Sequence, residues 1–270
     1  MKAAAIQMNS GAELRANLDA AEQLLGQAAA AGATFAVLPE NFAYLTADEA
    51  GKLAIAEAPG RGPIQDFLAR LAREQELWLV GGTIAIRDAQ DRRSYSASLL
   101  YDPEGVCRAR YDKIHLFDVG VPGTDENYRE SATVIPGTQL VSVAAPFARI
   151  GMAVCYDVRF PALFDALGQR GMDLLALPAA FTVPTGEAHW EVLLRARAIE
   201  SLCYVVAAAQ VGEHPGGRHT YGHSMIVGPW GRVLAERPAG PGVVVAELDI
   251  MGLEVLRQRF PALAHRRKPG

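Results

Sequence analysis

The chain is poor in cysteine and has no long hydrophobic segment. Its three cysteines, Cys107, Cys155 and Cys203, are odd in number and include no C-x-x-C pair, which argues against a disulfide framework or a zinc knuckle. This cysteine usage is typical of the reducing cytoplasm, and the N-terminus lacks the longer apolar core of a signal peptide. No apolar run is long enough to cross a bilayer, so we expect no membrane partner.

Basic charge and nucleotide-binding motifs are scarce as well. The formal net charge is −4, whereas nucleic-acid partners normally require a basic face, so we expect none. The sequence contains neither the phosphate loop G-x-x-x-x-G-K-[ST] nor the fingerprint G-x-G-x-x-G. His214 and His219 lie in a glycine-rich segment, but their spacing is irregular and no cysteine or carboxylate pattern accompanies them. We therefore expect no metal and no cofactor.

Short apolar strands alternate with amphipathic helices along the chain. The 270 residues are 50% hydrophobic, which is enough for one substantial core. Residues 2–8, a helical repeat at 14–28 and an apolar stretch at 35–38 predict a β-α-β opening. Because there is no internal repeat or clear linker, we predict one α/β domain spanning residues 1–270.

Later segments predict further elements. Helices are predicted at 63–75, 160–170, 190–201 and 251–259. Strands are predicted at 77–86, 95–101, 106–112, 139–144, 148–154, 173–177, 204–209, 225–227, 232–235 and 243–248. Residues 118–138 and 212–219 are rich in glycine, proline and polar residues, so loops are predicted there. Ser10 and Glu13 have the spacing of a capping box for the first helix.

Polar or reactive side chains follow three of the predicted strands. Glu40 follows the second strand, Lys113 follows the strand at 106–112, and Cys155 follows the strand at 148–154. Ligands of open α/β sheets collect beyond the carboxyl ends of strands, so these side chains could share one pocket. There a carboxylate could take the thiol proton, and an ammonium could stabilise a tetrahedral oxyanion. Such a site would carry out acyl transfer by covalent catalysis.

Each of these residues also has an ordinary structural interpretation. A cysteine after an apolar strand is usually a small core residue, and Cys107 and Cys203 look structural because no set of polar groups suited to catalysis adjoins either of them. Glu40 could be an ion-pair partner, and Lys113 could be a solvated charge. The base is open too, because a histidine distant in sequence could form a Cys–His dyad with Cys155. The candidate histidines are His115, His189 and His223.

Three motifs, taken in order, resemble those of the carbon–nitrogen hydrolase (nitrilase-like) superfamily. They are LPE at 38–40, YDKIHLFD at 111–118 and GMAVCYDVRFP at 151–161. Their order and their spread over essentially the whole chain make the resemblance specific. It implies a four-layer α-β-β-α sandwich that commonly dimerises through its helices, so a homo-oligomer, either a dimer or a tetramer, is expected.

The resemblance also implies catalytic roles. Cys155 is implied to be the nucleophile, Glu40 the proton acceptor in place of a histidine, and Lys113 the group that stabilises the oxyanion. The backbone N–H of Tyr156 is implied as a second donor to that oxyanion. Glu130 resembles the second glutamate that family members place beside the lysine, where it would orient Lys113 or assist with the substrate.

Within the superfamily, the chain is most similar to the Nit-type amidases. The similarity lies in YDVRFP at 156–161, where true nitrilases usually begin with Trp-Glu, and in HWEVLLRARAIE at 189–200. The segments AAAQ at 207–210 and YGHSM at 221–225 resemble the branch that hydrolyses deaminated glutathione to 2-oxoglutarate and cysteinylglycine. They resemble less the ω-amidase branch, which acts on 2-oxoglutaramate. The implied partner is therefore a small-molecule amide.

The 2-oxo acid end of such a substrate requires a receptor for its carboxylate. Arg159 is positioned by its motif to provide a bidentate one, and an ion pair with Asp157 is its structural alternative. Phe181 and Thr185 match positions that line the pocket in family members. A non-catalytic binding subunit with the same fold is the alternative from another functional class, although the intact catalytic motifs argue against it.

Overall fold

The computed structural model describes residues 1–47 and 51–267, which form two large β-sheets, two two-stranded ribbons and helices outside the large sheets. The strands are β1 (Lys2–Gln7), β2 (Phe35–Val37), β3 (Trp78–Val80), β4 (Ile84–Arg87), β5 (Ser94–Tyr101), β6 (Cys107–Asp112), β7 (Asp118–Gly120), β8 (Asn127–Arg129), β9 (Ser142–Ala144), β10 (Arg149–Met152), β11 (Leu174–Ala179), β12 (Tyr204–Ala209), β13 (Val211–His214), β14 (Arg218–Tyr221), β15 (Ser224–Val227), β16 (Val233–Arg237) and β17 (Gly242–Glu247). The helices are α1 (Leu14–Ala30), α2 (Gly51–Ala54), α3 (Pro63–Glu74), α4 (Pro161–Gln169), α5 (Val183–Ser201) and α6 (Ile250–Arg259).

The first sheet has the order β17-β1-β2-β3-β5-β4, and β6 also pairs with β5. Strands β1 and β2 run parallel, which confirms the predicted β-α-β opening. Alternate residues of β1 point to opposite faces of the sheet. Ala4 and Ile6 join the apolar cluster formed with α1 and α3, whereas Ala3 and Ala5 join the cluster that contains the second sheet. Helices α1 and α3 therefore cover the outer face of this sheet.

The second sheet has the order β16-β15-β12-β11-β10-β9, with β10, β11 and β12 parallel. Phe164 of α4 and Trp190 of α5 are buried in the same apolar cluster as its strands. Strands β1 and β12 lie against each other, so the two sheets pack face to face. The layers follow the order helix, sheet, sheet, helix, and the predicted four-layer α-β-β-α sandwich is confirmed.

Both segments predicted as loops contain antiparallel ribbons, so this prediction was wrong. Within 118–138, β7 pairs with β8, and a short 3₁₀ helix, Glu130–Ala132, follows. Within 211–221, β13 pairs with β14. The glycines and prolines that suggested loops occupy only the turns and the ends of these ribbons. Short hairpins of this composition resemble loops because they lack a long apolar alternation.

Three further predictions differ from the structure. The predicted strand 77–86 is divided into β3 and β4, because the chain turns at Gly82, which has a positive φ of 57°. The capping box is wrong: the Ser10 hydroxyl donates to the Phe42 carbonyl, and α1 has no side-chain cap. Helix α5 begins at Val183 rather than at residue 190, with a proline in its first turn. In the described part of the chain, no helix has the length and apolar composition needed to cross a membrane.

Candidate active site

Glu40, Lys113 and Cys155 lie in a single cavity of about 260 Å³. Glu40 follows β2 and Lys113 follows β6, both in the first sheet, and Cys155 follows β10 in the second. The cavity therefore draws on both sheets of the sandwich. Three residues distant in the sequence meet there because each comes shortly after the end of a strand.

Lys113 is buried between two glutamates. Its Nζ lies 2.8 Å from Glu40 Oε1 and 2.9 and 2.8 Å from the two carboxylate oxygens of Glu130. Burial by itself lowers the pKa of Lys113, but the charges of Glu130 and Glu40 outweigh it and raise that pKa well above its ordinary value. Lys113 is therefore a cation held by two carboxylates.

Glu130 is fixed by donors from two places. Besides Lys113, the backbone N–H of Phe117 donates to its Oε2 at 2.7 Å. Glu130 begins the 3₁₀ helix that follows β8, so the β7–β8 ribbon positions this carboxylate beside Lys113. Its side chain is only 11% exposed, which keeps water from competing for its oxygens.

The backbone around Glu40 is held on both sides. The side chain of Gln210 donates to the carbonyl of Glu40 at 3.0 Å, and the N–H of Asn41 donates to the Thr83 hydroxyl at 2.9 Å. Gly82 packs so closely that a Cβ there would lie 2.1 Å from the carbonyl oxygen of Pro39. The position of Glu40 thus depends on Gln210, which follows β12, and on Gly82 and Thr83, which lie between β3 and β4.

The carboxyl group of Glu40 is ionised despite its burial. Burial raises its pKa, but the charge and hydrogen bond of Lys113 outweigh this and hold the pKa below its usual value. The neighbouring Cys155 thiol also acts to lower this pKa. Glu40 is therefore an ionised carboxylate beside the thiol, and it can act as a base.

Cys155 lies at the start of a tight 3₁₀ helix, Cys155–Arg159, with a positive φ of 48°. Burial and the adjacent Glu40 charge raise the pKa of its thiol well above the ordinary value, although Lys113 and the backbone of Ala180 act in the opposite direction. At neutral pH the thiol is protonated. The ionised carboxyl group of Glu40 adjoins it in the same cavity and could accept its proton, as general-base activation of a nucleophile requires.

The four side chains expected to bind substrate also line this cavity: Tyr156, Arg159, Phe181 and Thr185. The Arg159 guanidinium lies 5.1 Å from the ring centroid of Phe181 and 5.7 Å from that of Tyr156. Its Nη1 is 3.1 Å from Nδ1 of His189. The carboxyl group of Asp157 bonds to other partners, so the alternative ion pair with Arg159 is wrong.

Residues of the two ribbons line the cavity as well, and the sequence interpretation did not include them. Tyr128 comes from β8 and Arg218 from β14, and the Arg218 guanidinium lies 5.2 Å from the Tyr128 ring centroid. Because both segments were predicted as loops, the sequence pattern did not indicate that Tyr128 and Arg218 lie close together. The available signal was the position of Tyr128 two residues before Glu130.

The histidines considered as a base for Cys155 have other partners. His115 Nδ1 lies 2.7 Å from Asp157 Oδ1, His223 Nδ1 lies 2.5 Å from Glu236 Oε1, and His189 contacts Arg159. None of the three is among the described residues that line the cavity, so a Cys–His dyad is wrong.

His214 does not belong to a metal site either. Its Nδ1 is 2.8 Å from the Ser10 carbonyl and its Nε2 is 2.7 Å from the Thr220 hydroxyl, so both ring nitrogens are engaged. Within residues 1–47 and 51–267, no group of three or more His, Cys, Asp or Glu side chains is arranged to hold a metal ion.

The match to a family model decides the family. Residues 2–258 match the model described as Carbon-nitrogen hydrolase, nearly the whole chain. The chain belongs to the carbon–nitrogen hydrolase family. Members of this family hydrolyse carbon–nitrogen bonds, so the chain is a hydrolase, and the thiol, carboxylate and ammonium in its cavity are the groups that acyl transfer needs.

Two curated relatives of this carbon–nitrogen hydrolase are amidases by name. It is 42% identical over 266 residues to the deaminated glutathione amidase of Yersinia enterocolitica, a match that covers 98% of this chain and 92% of the relative. It is 44% identical over 268 residues to the deaminated glutathione amidase of Homo sapiens, covering 98% of this chain and 81% of the relative.

A solved structure has a similar fold. The NitFhit protein of C. elegans superimposes with a TM-score of 0.91 at 40% identity, and the match covers 98% of this chain. This carbon–nitrogen hydrolase spans 65% of the length of that nematode protein. The likeness therefore extends over the complete sandwich described above.

Proposed function

We propose that this carbon–nitrogen hydrolase is an amidase that hydrolyses deaminated glutathione to 2-oxoglutarate and cysteinylglycine through a thioester on Cys155. The observation that carries the chemistry is the burial of the Cys155 thiol in one cavity with ionised Glu40 and with Lys113. Relatives at 42% and 44% identity named deaminated glutathione amidase support the substrate. Removal of such a side product would be a metabolite-repair function.

In the first half of the reaction, Cys155 Sγ attacks the amide carbonyl carbon while Glu40 takes the thiol proton. Negative charge develops on the carbonyl oxygen, where the ammonium of Lys113 and the backbone N–H of Tyr156 stabilise it. Glu40 then passes its proton to the amide nitrogen as the carbon–nitrogen bond breaks. Cysteinylglycine leaves, and the 2-oxoglutaryl group remains on Cys155 as a thioester.

In the second half, Glu40 removes a proton from a water molecule that attacks the thioester carbonyl. The same two donors stabilise the second oxyanion. Its collapse breaks the carbon–sulfur bond, releases 2-oxoglutarate and returns the proton from Glu40 to the sulfur. Glu130 acts by holding Lys113 in place through two hydrogen bonds.

The substrate's 2-oxo acid carboxylate is assigned to Arg159. The aromatic faces of Phe181 and Tyr156 hold the guanidinium on the cavity wall. A planar guanidinium binds a carboxylate through two parallel N–H donors, which fixes the orientation of the ligand. Thr185, whose hydroxyl lies 2.8 Å from that of Thr182, offers a further polar contact on the same wall.

A substrate panel tests this proposal. Purified enzyme is assayed with deaminated glutathione, 2-oxoglutaramate and a neutral amide. We expect kcat/KM to be highest for deaminated glutathione, lower for 2-oxoglutaramate and lowest for the neutral amide. Turnover of 2-oxoglutaramate equal to or above that of deaminated glutathione would instead assign the enzyme as an ω-amidase. The absence of any turnover would support a non-catalytic binding subunit.

We also propose that residues 1–270 form one domain that acts in the cytoplasm as a homo-oligomer. The location rests on the three unpaired thiols, which suit a reducing compartment. The assembly rests on an exposed apolar patch, which we define as Ile199, Trp230 and Phe260. Trp230 packs edge-on against Phe260 with centroids 5.2 Å apart, and each patch residue is about half exposed or more. Exposed apolar side chains that cluster in this way are typical of interaction surfaces.

A further inference from the structure

Asp157 is a fully buried carboxyl group that the proposed reaction does not use. It lies two residues after Cys155, and none of its surface is exposed. A carboxylate removed from water in this way needs hydrogen-bond donors to compensate its desolvation. Four donor groups surround it, drawn from two segments of the chain that are distant in sequence.

One carboxylate oxygen joins the loop of the cysteine to strand β6. Asp157 Oδ2 accepts the backbone N–H of Val154 at 2.9 Å and the hydroxyl of Tyr111 at 2.7 Å. Burial and the Asp157 charge raise the pKa of Tyr111 well above its usual value, so the hydroxyl keeps its proton and acts as the donor.

The other oxygen binds His115. Asp157 Oδ1 accepts the His115 backbone N–H at 3.0 Å and lies 2.7 Å from its Nδ1. The imidazole stacks on Phe160, with ring centroids 3.7 Å apart and planes 5° from parallel. Tyr111 and His115 stand on either side of Lys113 in the sequence. One carboxylate therefore bonds to a residue on each side of the lysine.

The same side chain constrains the backbone on both flanks of Cys155. Asp157 accepts from the Val154 N–H through its side chain, and its own N–H donates to the Val154 carbonyl at 3.0 Å. These two bonds close a tight turn around Cys155, whose φ of 48° is unfavourable for a residue with a Cβ. Such a conformation persists only where the surroundings enforce it.

We propose that Asp157 is a positioning residue, which holds the Cys155 sulfur in register with the Lys113 ammonium through its bonds to Tyr111, His115 and Val154. It touches neither the substrate nor the reacting atoms. The inference rests on the proposed function only in taking Cys155 as the nucleophile. It does not depend on which amide is hydrolysed.

The first test is Tyr111→Phe, which removes one hydrogen bond and keeps the ring in the core. The matched control is Tyr101→Phe, a buried tyrosine on the neighbouring strand β5. We expect kcat per titrated active site to fall by about tenfold or more in Tyr111→Phe, with KM within about twofold, because displacement of a reacting group slows chemistry more than binding. The control should keep its kcat.

The second test measures the cysteine without any substrate. Iodoacetamide alkylation of the peptide that contains Cys155 is followed by mass spectrometry in a Cys107→Ala background, because the exposed Cys107 would consume the reagent. The rate should fall in Tyr111→Phe in parallel with kcat. A purely structural role of Asp157 would lower Tm and leave both rates per folded molecule equal to the control, and that result would overturn the proposal.

A double-mutant cycle completes the test. Asp157→Asn should lose about 100-fold in kcat, and the double variant with Tyr111→Phe should lose no more, because both changes disrupt the same bond. Additive losses would contradict the proposal. If Asp157→Asn does not fold, His115→Phe takes its place, since it keeps the stacking on Phe160 and removes only the imidazole donor. Inactivity of the wild type on deaminated glutathione contradicts the substrate and leaves the alkylation comparison intact.

Discussion

Lys113 and Glu40 form an ion pair of 2.8 Å in which both side chains are almost completely buried. Removing one partner of a buried pair leaves the other charge without compensation, which is strongly destabilising. Here the pair also links the two chemical tasks of the site, since one partner is the proposed base and the other the proposed oxyanion donor. Substitution of either residue would therefore change both the stability and the activity of the enzyme. Variants of neighbouring residues separate these two effects better.

Replacing the proposed nucleophile gives the most direct result. Cys155→Ala should lower kcat by at least about 10³-fold, because loss of one member of a catalytic unit removes the whole unit. The fold should be retained, since alanine fits where the thiol was and removes a buried donor. Cys107→Ala, at an exposed position on β6, is the control and should keep full turnover. An active Cys155→Ala enzyme would refute the covalent mechanism.

Glu130 is expected to contribute through Lys113. Glu130→Gln keeps the size of the side chain and removes a charge that raises the pKa of Lys113. We expect kcat to fall by about 10- to 100-fold, because the ammonium loses part of its fixed position. Glu126→Gln is the matched control, since Glu126 lines the same cavity and bonds to Tyr128 rather than to the lysine. Equal kcat values for the two variants would remove Glu130 from the mechanism.

The pH dependence separates a carboxylate base from a histidine. The pKa of Glu40 is lowered in the folded protein, so its ionised form, and the stability it contributes, persist above about pH 4.3 and are lost only as pH falls below that value. The raised pKa of Lys113 keeps its contribution at every pH below about 10.4. We expect kcat/KM to be independent of pH between about pH 6 and 8. A change in kcat/KM near pH 6.5, where histidine titrates, would contradict Glu40 as the base.

A glycine next to the site tests the packing around Glu40. Gly82→Ala places a Cβ against the carbonyl of Pro39 and forces a positive φ on alanine. We expect the free energy of unfolding to fall by at least about 1 kcal/mol, with a lower kcat. Gly26→Ala, in the middle of α1 with open space around it, should instead raise that free energy by about 0.5–1 kcal/mol. Thermal or denaturant unfolding distinguishes the two, and equal shifts would exclude the contact as the cause.

The apolar patch of Ile199, Trp230 and Phe260 should mediate self-association. Trp230→Glu introduces a charge into it and is expected to convert the oligomer to a smaller species in analytical ultracentrifugation. Val106→Glu, at an exposed apolar position between β5 and β6, is the control and should leave the sedimentation coefficient unchanged. An unchanged oligomer in Trp230→Glu would place the interface elsewhere.

The central features of the fold could be predicted from local sequence patterns. Strand β12 has the predicted bounds, because its apolar run is uninterrupted and is followed by the polar Gln210. Residues Asp102 to Gly105 have turn chemistry, which predicts a hairpin between the strands at 95–101 and 106–112, and β5 and β6 do pair. Elements that bury a continuous apolar face leave this kind of signal.

The start of α5 illustrates what local patterns miss. Pro184 and Gly186 suggest a loop, but a proline is compatible with the first turn of a helix. Gly186 is required there because a Cβ would lie 2.2 Å from the ring of Tyr221, on β14. That neighbour is supplied by tertiary packing. The same holds for Tyr128 and Arg218, which meet only because two ribbons distant in sequence adjoin the cavity.

The site itself was only partly accessible to residue-by-residue reasoning. The strand-end positions of Glu40, Lys113 and Cys155 suggested a shared pocket, but the choice of a carboxylate over a histidine came from the motif resemblance. The contacts explain the difficulty: His115 follows Lys113 by two residues, yet it faces Asp157 rather than the thiol. Side-chain direction at the end of a strand depends on turns that the sequence pattern does not specify.

The protonated state of the Cys155 thiol also affects how readily the enzyme is inactivated by oxidation. Peroxides attack thiolates far faster than thiols, and oxidation to a sulfenic acid follows thiolate character and exposure. Cys155 is 7% exposed, and its raised pKa leaves almost no thiolate at neutral pH. An enzyme built in this way forms its reactive anion only while a carbonyl group is in place to receive it, and between turnovers it resists the oxidants that inactivate enzymes with a permanent thiolate.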